Sequence, residues 1–548
     1  MKILFKKNTV VLGLFLSCLF SCKDLTNLNV NPNGVQPETV NPNLVMPTVL
    51  SETAKLYTNL GFQDIAGVVQ HTQKDAWFSG HNDYDWGGDQ SWTDYYNQLR
   101  NNDLVYQRAV ALNMEFQQGV ALVMKSMLFG LITDLWGDAP YSSALQGEKG
   151  SVDDIAPKYD SQEVIYAGIL ADLEKAATLL SKPKAAYGTN IVDAADLYYA
   201  GDPTKWRRLA NSLQLRYLMR ISAKQPAIAK AGIEKIVANP TQYPIIDDAA
   251  LDATMAYVGN NSGDAWPSNT VFDISGSNYR RIKMSTTLVK PMQATNDPRL
   301  AIWAKKVEIP LKVDATLPAG TDKIVSGVRY LSPDKVGTTP IDTDPNYVGL
   351  PPSISQLPSA YNFNPTPGQT SVNPHVSYLN EIYTQAKGPL LKSRLVSAAE
   401  VNFILAEAAQ KGWAAGDAKT RYEAGVKASL TAWGLASSYA TFIAQKGVAY
   451  DGTLAQLMGQ KWIASWTSAT EAWFDYRRTG LPALQAGPVA KRKALPLRFY
   501  YMRDELNLNK TNSGTAIEKL ETTANSQADG KNSAWSKQWL VQGTGKPW

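Results

Sequence analysis

Through most of this chain apolar side chains recur every three or four residues, the spacing of a helix with one buried face. From Val49 the pattern is helical, and Leu50 to Val69 holds one helix or two. Val120 to Leu135 is apolar nearly all round, too short and too interrupted for a membrane span, and so predicts a core helix. Gly137 and Pro140 end it. Ser161 to Leu180 repeats Ile165, Ile169, Leu173 and Ala176. Trp206 to Ile221 lines up Trp206, Leu209, Leu213, Tyr217 and Ile221, and Pro226 to Ala238 is a shorter helix. Helical spacing returns at Ser393 to Gln410, Ala418 to Ala432 and Gln456 to Tyr476.

Two stretches break the pattern. His71 to Tyr96 is polar, aromatic and glycine-bearing, and between about Asn239 and Leu390 Pro, Gly, Asn, Ser and Tyr dominate. Loops of that length inside a compact domain are uncommon unless they serve a function. No strict repeat is visible, but paired helices rich in Ala and Leu predict an all-α fold of TPR-like, α-solenoid-like helix pairs. An extended loop-rich portion, about 239–390, packs against them, and residues 48–548 form a single domain. The tail from Glu518 to Trp548 is polar surface chain that packs back through Trp535, Trp539 and Trp548.

The start of the chain has a different character. Lys2, Lys6 and Lys7 precede an apolar run from Val10 to Phe20, and Leu19-Phe20-Ser21-Cys22 follows. A basic start, a short apolar core and a small residue before the break make a secretory signal. With cysteine at the cut and no Ala-x-Ala, residues 1–21 form a lipoprotein signal and Cys22 is the lipid anchor. The rival cut at Ser17-Cys18 puts Phe15 where leucine is usual. Residues 22–47, rich in Asn and Pro, make a flexible tether. Lys23-Asp24 resembles the short signals that send lipoproteins to the outer face of the outer membrane.

Charge and composition then exclude several functions. Formal charge is +5 over 548 residues, and removing Lys2, Lys6 and Lys7 with the leader leaves +2. Such a balance offers no basic field for nucleic acid or an anionic membrane surface, so membrane contact runs through the lipid alone. The two cysteines, Cys18 and Cys22, sit at the leader, which leaves no disulfide or thiolate chemistry in the body. His71, His81 and His375 are the only histidines and none lies four residues from another, which argues against a zinc site. Asp83, Asp85 and Asp89 lack the spacing of a calcium loop and are better taken as solvated carboxylates. No nucleophile elbow or phosphate-cradling loop is visible. Glu400 and Glu407 share a helix face, but ion pairing fits them better than catalysis, as it does Glu471, Asp475, Arg477 and Arg478. The expectation is therefore no catalytic residue, no metal and no cofactor.

What remains is aromatic. The chain holds 15 Trp and 26 Tyr against 13 Phe, side chains with a flat apolar face and a polar edge. Trp77, Tyr84 and Trp86 stand among Gly, Asp and Asn, a context that seldom lies deep in a core. They are candidate stacking groups for a sugar ring, with Asn82 and Asp83 as edge partners. Trp266, Tyr279 and Arg280 are weaker candidates from the long loops.

Several stretches together resemble the SusD/RagB family of outer-membrane nutrient-binding lipoproteins, over essentially the whole mature chain. They are Cys22, Asp134-Leu135-Trp136-Gly137-Asp138-Ala139-Pro140-Tyr141, Asp297-Pro298-Arg299-Leu300, Ala406-Glu407-Ala408, Glu471-Ala472-Trp473 with Arg477-Arg478-Thr479-Gly480, and Leu495-Pro496-Leu497-Arg498 followed by Glu505 and Asn509. Tyr500-Tyr501-Met502 departs from the Tyr-Pro more usual there. The resemblance implies a non-enzymatic surface lid of a SusC-like TonB-dependent transporter in a Gram-negative outer membrane, capturing oligosaccharides or, as the alternative, peptides. A surface glycoside hydrolase is the alternative from another class, and it lacks a recognisable acid and nucleophile.

Overall fold

The computed structural model describes residues 37–75, 80–88, 90–354, 361–365, 372–546 and 548. The expected leader, Cys22 and Trp77 lie outside them. Helix α1 (Pro42–Thr58) starts earlier than its periodicity predicts. Asn41 accepts the Asn43 N–H at 3.0 Å and Pro42 supplies a pre-set first turn, so the last residues assigned to the tether are helical. Met46, Val49, Leu50, Ala54 and Tyr57 are its buried face. A π-helical stretch, Asn59–Ile65, carries it onward.

The scaffold continues with α2 (Thr93–Ala111), α3 (Glu115–Trp136), α4 (Gln162–Leu179), α5 (Pro203–Arg220) and α6 (Pro226–Ala238), each packed on the one before it. Helix α3 has the length and composition of a membrane span, yet 94% of its apolar window is buried by its neighbours. Gly130 lets α5 approach it: a Cβ there would stand 2.2 Å from the Tyr217 hydroxyl. After the long loops come α7 (Ala398–Gln410), α8 (Ala418–Ala432), α9 (Leu454–Ala464) and α10 (Ala469–Thr479). Two expected helices are thus shorter than their periodicity. Lys392–Val396 is a strand, and Ser397 caps α7 through the Glu400 N–H at 3.2 Å. The helix expected over 456–476 breaks after Ala464, where Thr467 takes a left-handed φ of 68°.

Within the loop-rich portion the strands are short. Strand β1 (Thr72–Lys74) is followed by β2 (Ala253–Ala256), β3 (Ile282–Met284), β4 (Leu311–Val313), β5 (Asp322–Val325), β6 (Val328–Leu331) and β7 (Lys392–Val396). Three-stranded order is β4-β6-β5, with β4 parallel to β6 and β5 joined to β6 by a tight Ser326-Gly327 turn, both residues at positive φ. The pairs β2–β7 and β1–β3 are antiparallel and stitch these loops to the helices.

Charge pairs lock the scaffold from within. Arg220 donates to Asp134 at 2.9 Å and to Glu471, while Tyr166 donates to Asp134 at 2.8 Å. Arg216 grips Glu400 with two bonds of 2.6 Å. Arg478 holds Glu407 at 2.5 and 2.6 Å and Asp475 at 2.8 Å, and Lys461 meets Asp475 at 2.7 Å. Arg477 donates to the carbonyls of Asp134 and Leu497, both at 2.7 Å, and Arg498 to that of Trp136. Burial would push the Asp475 carboxyl up, but Lys461 and then Arg478 hold it well below the usual range. These residues carry most of the motifs behind the family resemblance, so the motifs are internal fastenings. Glu400 and Glu407 are ion-paired as expected, with Arg216 and Arg478 on neighbouring helices.

Candidate functional site

The structure separates the sequence candidates into core and surface. Tyr84 is fully buried, with its hydroxyl 3.4 Å from the Gln70 amide. Trp86 lies edge-on against Phe499 at 4.8 Å and Trp473 at 5.5 Å. Trp266 is fully buried against Phe62 at 5.0 Å and Tyr257 at 5.6 Å, its Nε1–H donating to Ser268. These three rings face protein, so as placed they offer no platform to a ligand. Asn82 is also inside, using its amide as a false strand: it accepts the Lys74 N–H at 2.9 Å and donates to the Lys74 carbonyl at 2.7 Å. Asp83 accepts the Asp85 N–H, Asp85 accepts the Gly87 N–H, and Asp85 pairs with Lys491 at 2.7 Å. Local turns of this kind satisfy the polar atoms and let Tyr84 and Trp86 swing inward. Burial, more than the neighbouring Asp85, raises the Asp83 pKa. No grouping of histidine, aspartate and glutamate that could hold a metal occurs among the described residues.

Tyr279 and Arg280 remain at the surface. They end a short helical turn, Ser277–Arg281, that leads directly into β3. Tyr279 lies half-buried beside Tyr378, centroids 6.2 Å apart and planes 31° from parallel, and its hydroxyl donates to the Leu379 carbonyl at 2.6 Å. That bond fixes the ring angle. Lys283, from β3, sets its Nζ 3.4 Å from the centroid of Tyr378 and donates to the Arg280 carbonyl. Burial lowers the Lys283 ammonium to about 7, and the same cause raises Tyr378 to about 12. Arg280 donates through Nε to the Ser275 carbonyl at 3.2 Å, which orients its guanidinium. Strand β1 enters the same face, since the Asp75 N–H donates to the Arg281 carbonyl at 2.7 Å.

Around the tyrosines the surface is unusually apolar for a loop: Ile274 is 94% exposed and Phe272 is 38% exposed. Lys305 and Glu381 pair across the other side at 3.1 Å. The part-exposed Tyr279 ring, with Arg280 next in the chain and a charged rim, suits a ligand with an apolar face and polar edges, the geometry of a pyranose ring. Sequence reasoning missed Tyr378 and Lys283. Tyr378 stands about 100 residues beyond Tyr279, and only the alternation Ile282-Lys283-Met284, a strand signal, pointed to the pairing that brings Lys283 to the Tyr378 ring.

Comparison with solved structures gives the same architecture throughout. An outer-membrane protein of Bacteroides vulgatus, described in connection with nutrient binding, superposes with a TM-score of 0.70 at 24% identity, over 92% of this chain and 100% of its own. A chitin-binding protein matches with a TM-score of 0.68 at 24% identity, over 91% and 100%. A SusD homologue from Bacteroides fragilis gives 0.68 at 22% identity, over 92% and 99%. No curated protein sequence matches. The SusD-like family model, described as starch-binding and associating with the outer membrane, matches residues 34–317 and 342–502. With that much of the sequence accounted for, and with this helical scaffold carrying a loop-rich face, the chain belongs to the SusD-like family.

Proposed function

We propose that this protein is a lipid-anchored, surface-exposed binding protein that captures oligosaccharides and delivers them to a SusC-like TonB-dependent outer-membrane transporter. The observation that carries the ligand class is the half-buried Tyr279 ring, fixed by its bond to the Leu379 carbonyl and set beside the buried Tyr378, with Arg280 next in the chain, on the loop-rich face of a starch-binding family member. Cys22 is the anchor. Burying acyl chain contributes about 0.8 kcal/mol per CH₂, so more than one chain holds the protein at the membrane. Tethering beside the transporter keeps the local concentration high even where each contact is weak. The protein is a binder without catalytic activity, in keeping with the engagement of Glu400 and Glu407 in ion pairs. Peptide capture is the second reading, favoured by exposed Phe272 and Ile274 beside Arg280.

Calorimetric titration of the protein with maltoheptaose, chitohexaose and a peptide mixture tests this. Saturable heat with a glycan is expected. Tyr279→Ala should weaken it about five- to tenfold, the worth of one aromatic stacking contact. Heat with peptides alone would replace the ligand class, and unchanged glycan affinity in Tyr279→Ala would remove the tyrosine pair from the site.

A further inference from the structure

A second cavity, of about 250 Å³, opens where α3 ends and the C-terminal segment returns over it. Asp138, Ser161, Tyr501, Lys519, Gln538 and Trp539 line it. It shares no residue with the Tyr279 face: its walls come from the helical scaffold and the tail, whereas the tyrosine pair belongs to the loop-rich portion. Of the tail tryptophans, Trp535 is buried and donates to the Ala494 carbonyl, and Trp548 packs on Tyr476 at 4.9 Å. Trp539 does neither. Its ring stays half-exposed on the cavity, with Lys224 Nζ 5.3 Å from the centroid.

Fixed polar groups stand opposite that ring. Asp138 accepts the Gln162 N–H at 3.0 Å through one oxygen and Lys519 at 2.8 Å through the other, and the Tyr501 hydroxyl donates to its carbonyl at 2.8 Å. Gln538 donates to the Asp134 carbonyl at 3.0 Å, while its Oε1 has no donor among the described residues. An indole flank and a carboxylate–ammonium pair at the rim make a combination that takes a ring with one apolar face and polar hydroxyl edges. The volume falls just short of the ~300 Å³ at which pockets for larger ligands begin, which suits one ring and not a chain.

We propose that this cavity is a second carbohydrate subsite, taking a single neutral sugar ring against Trp539, and the proposal rests on the glycan-binding reading given above. The test is titration of the purified full chain with D-glucose, D-galactose and N-acetyl-D-glucosamine, one at a time, by saturation-transfer NMR, with maltoheptaose and chitohexaose calorimetry in parallel. At least one monosaccharide should saturate. Its affinity should fall about tenfold in Trp539→Ala, less than about threefold in Trp539→Phe, and not at all in Tyr279→Ala. Lys519→Ala, at an exposed side chain, should also weaken it and covers the case in which Trp539→Ala does not fold. Three silent monosaccharides, wild-type affinity in Trp539→Ala, or loss that follows Tyr279→Ala would each overturn the subsite. Should the monosaccharide bind at Trp539 while neither oligosaccharide binds at all, the Tyr279 reading fails and the cavity stands.

Discussion

Trp86→Ala separates a binding ring from a core ring. Trp86 is 7% exposed and meets Phe499 and Trp473 edge-on at 4.8 and 5.5 Å. A buried tryptophan removes ~150–250 Å² from water, so at ~25 cal/mol/Å² the transfer contribution is about 4–6 kcal/mol as an upper bound. Its Nε1–H finds no acceptor among the described residues, and removing that donor returns about 1 kcal/mol. The net cost expected is about 3–5 kcal/mol, in line with large-to-small changes in other cores. For a chain of this length that lowers the melting temperature by roughly 3–5 °C. The assay is urea and thermal unfolding of wild type and variant, with glycan titration well below the transition. Destabilisation with normal glycan affinity is the expected result. A wild-type melting temperature combined with lost binding would refute the core placement and restore Trp86 as a stacking group.

Other consequences follow from the same packing. Arg478→Met takes the guanidinium from buried Glu407, while Asp475 keeps Lys461, and should cost about 3 kcal/mol or more in urea unfolding, and adding Glu407→Gln should recover part of it. If the double variant is as unstable as the sum of its parts, the pair is not coupled. His71 is fully buried with its Nε2 2.9 Å from the Trp462 carbonyl, and burial lowers its pKa from about 6.5 to about 3. Because the folded value is the lower one, the unfolded chain takes up the proton first. Its contribution is complete above pH 6.5 and is lost as pH falls toward 3, about 2 kcal/mol by pH 5. His71→Gln should therefore lose about 2 kcal/mol less than wild type between pH 7.5 and 5, and equal losses would show that His71 does not set this slope.

Helices with strong punctuation were legible in the sequence. Pro226–Ala238 and Ala418–Ala432 end where their periodicity ends. Errors arose where a local signal was outweighed. Asn41-Pro42 started a helix inside a stretch that looked like linker, and Ser397 was the true cap of a helix whose apparent start was strand β7. The aromatic stretch failed for a longer-range reason. Polar neighbours suggested a wet loop around Trp86, but Asp83 and Asp85 are satisfied by the local backbone, and the partners of the ring are Trp473 and Phe499. Nothing within twenty residues of Trp86 reports on side chains nearly four hundred positions away.

The charge pairs that join the scaffold helices to one another, from Asp134 through Arg220, Glu400, Glu407 and Glu471 to Arg498, lie outside the stretch of about 239–390, while the fully buried Asp297–Arg299 pair lies inside it. Tyr279, Arg280, Lys283 and Tyr378 all lie inside it. Apart from that pair, the charges that fasten the fold and the groups proposed to hold a ligand fall in different parts of the chain. Substitutions at the proposed recognition residues leave the fastenings untouched, so new ligand preferences can be explored by drift there while Asp297, Arg299 and the scaffold sequence stay fixed. Relatives with the same helices and unrelated loops are what such a division of labour produces.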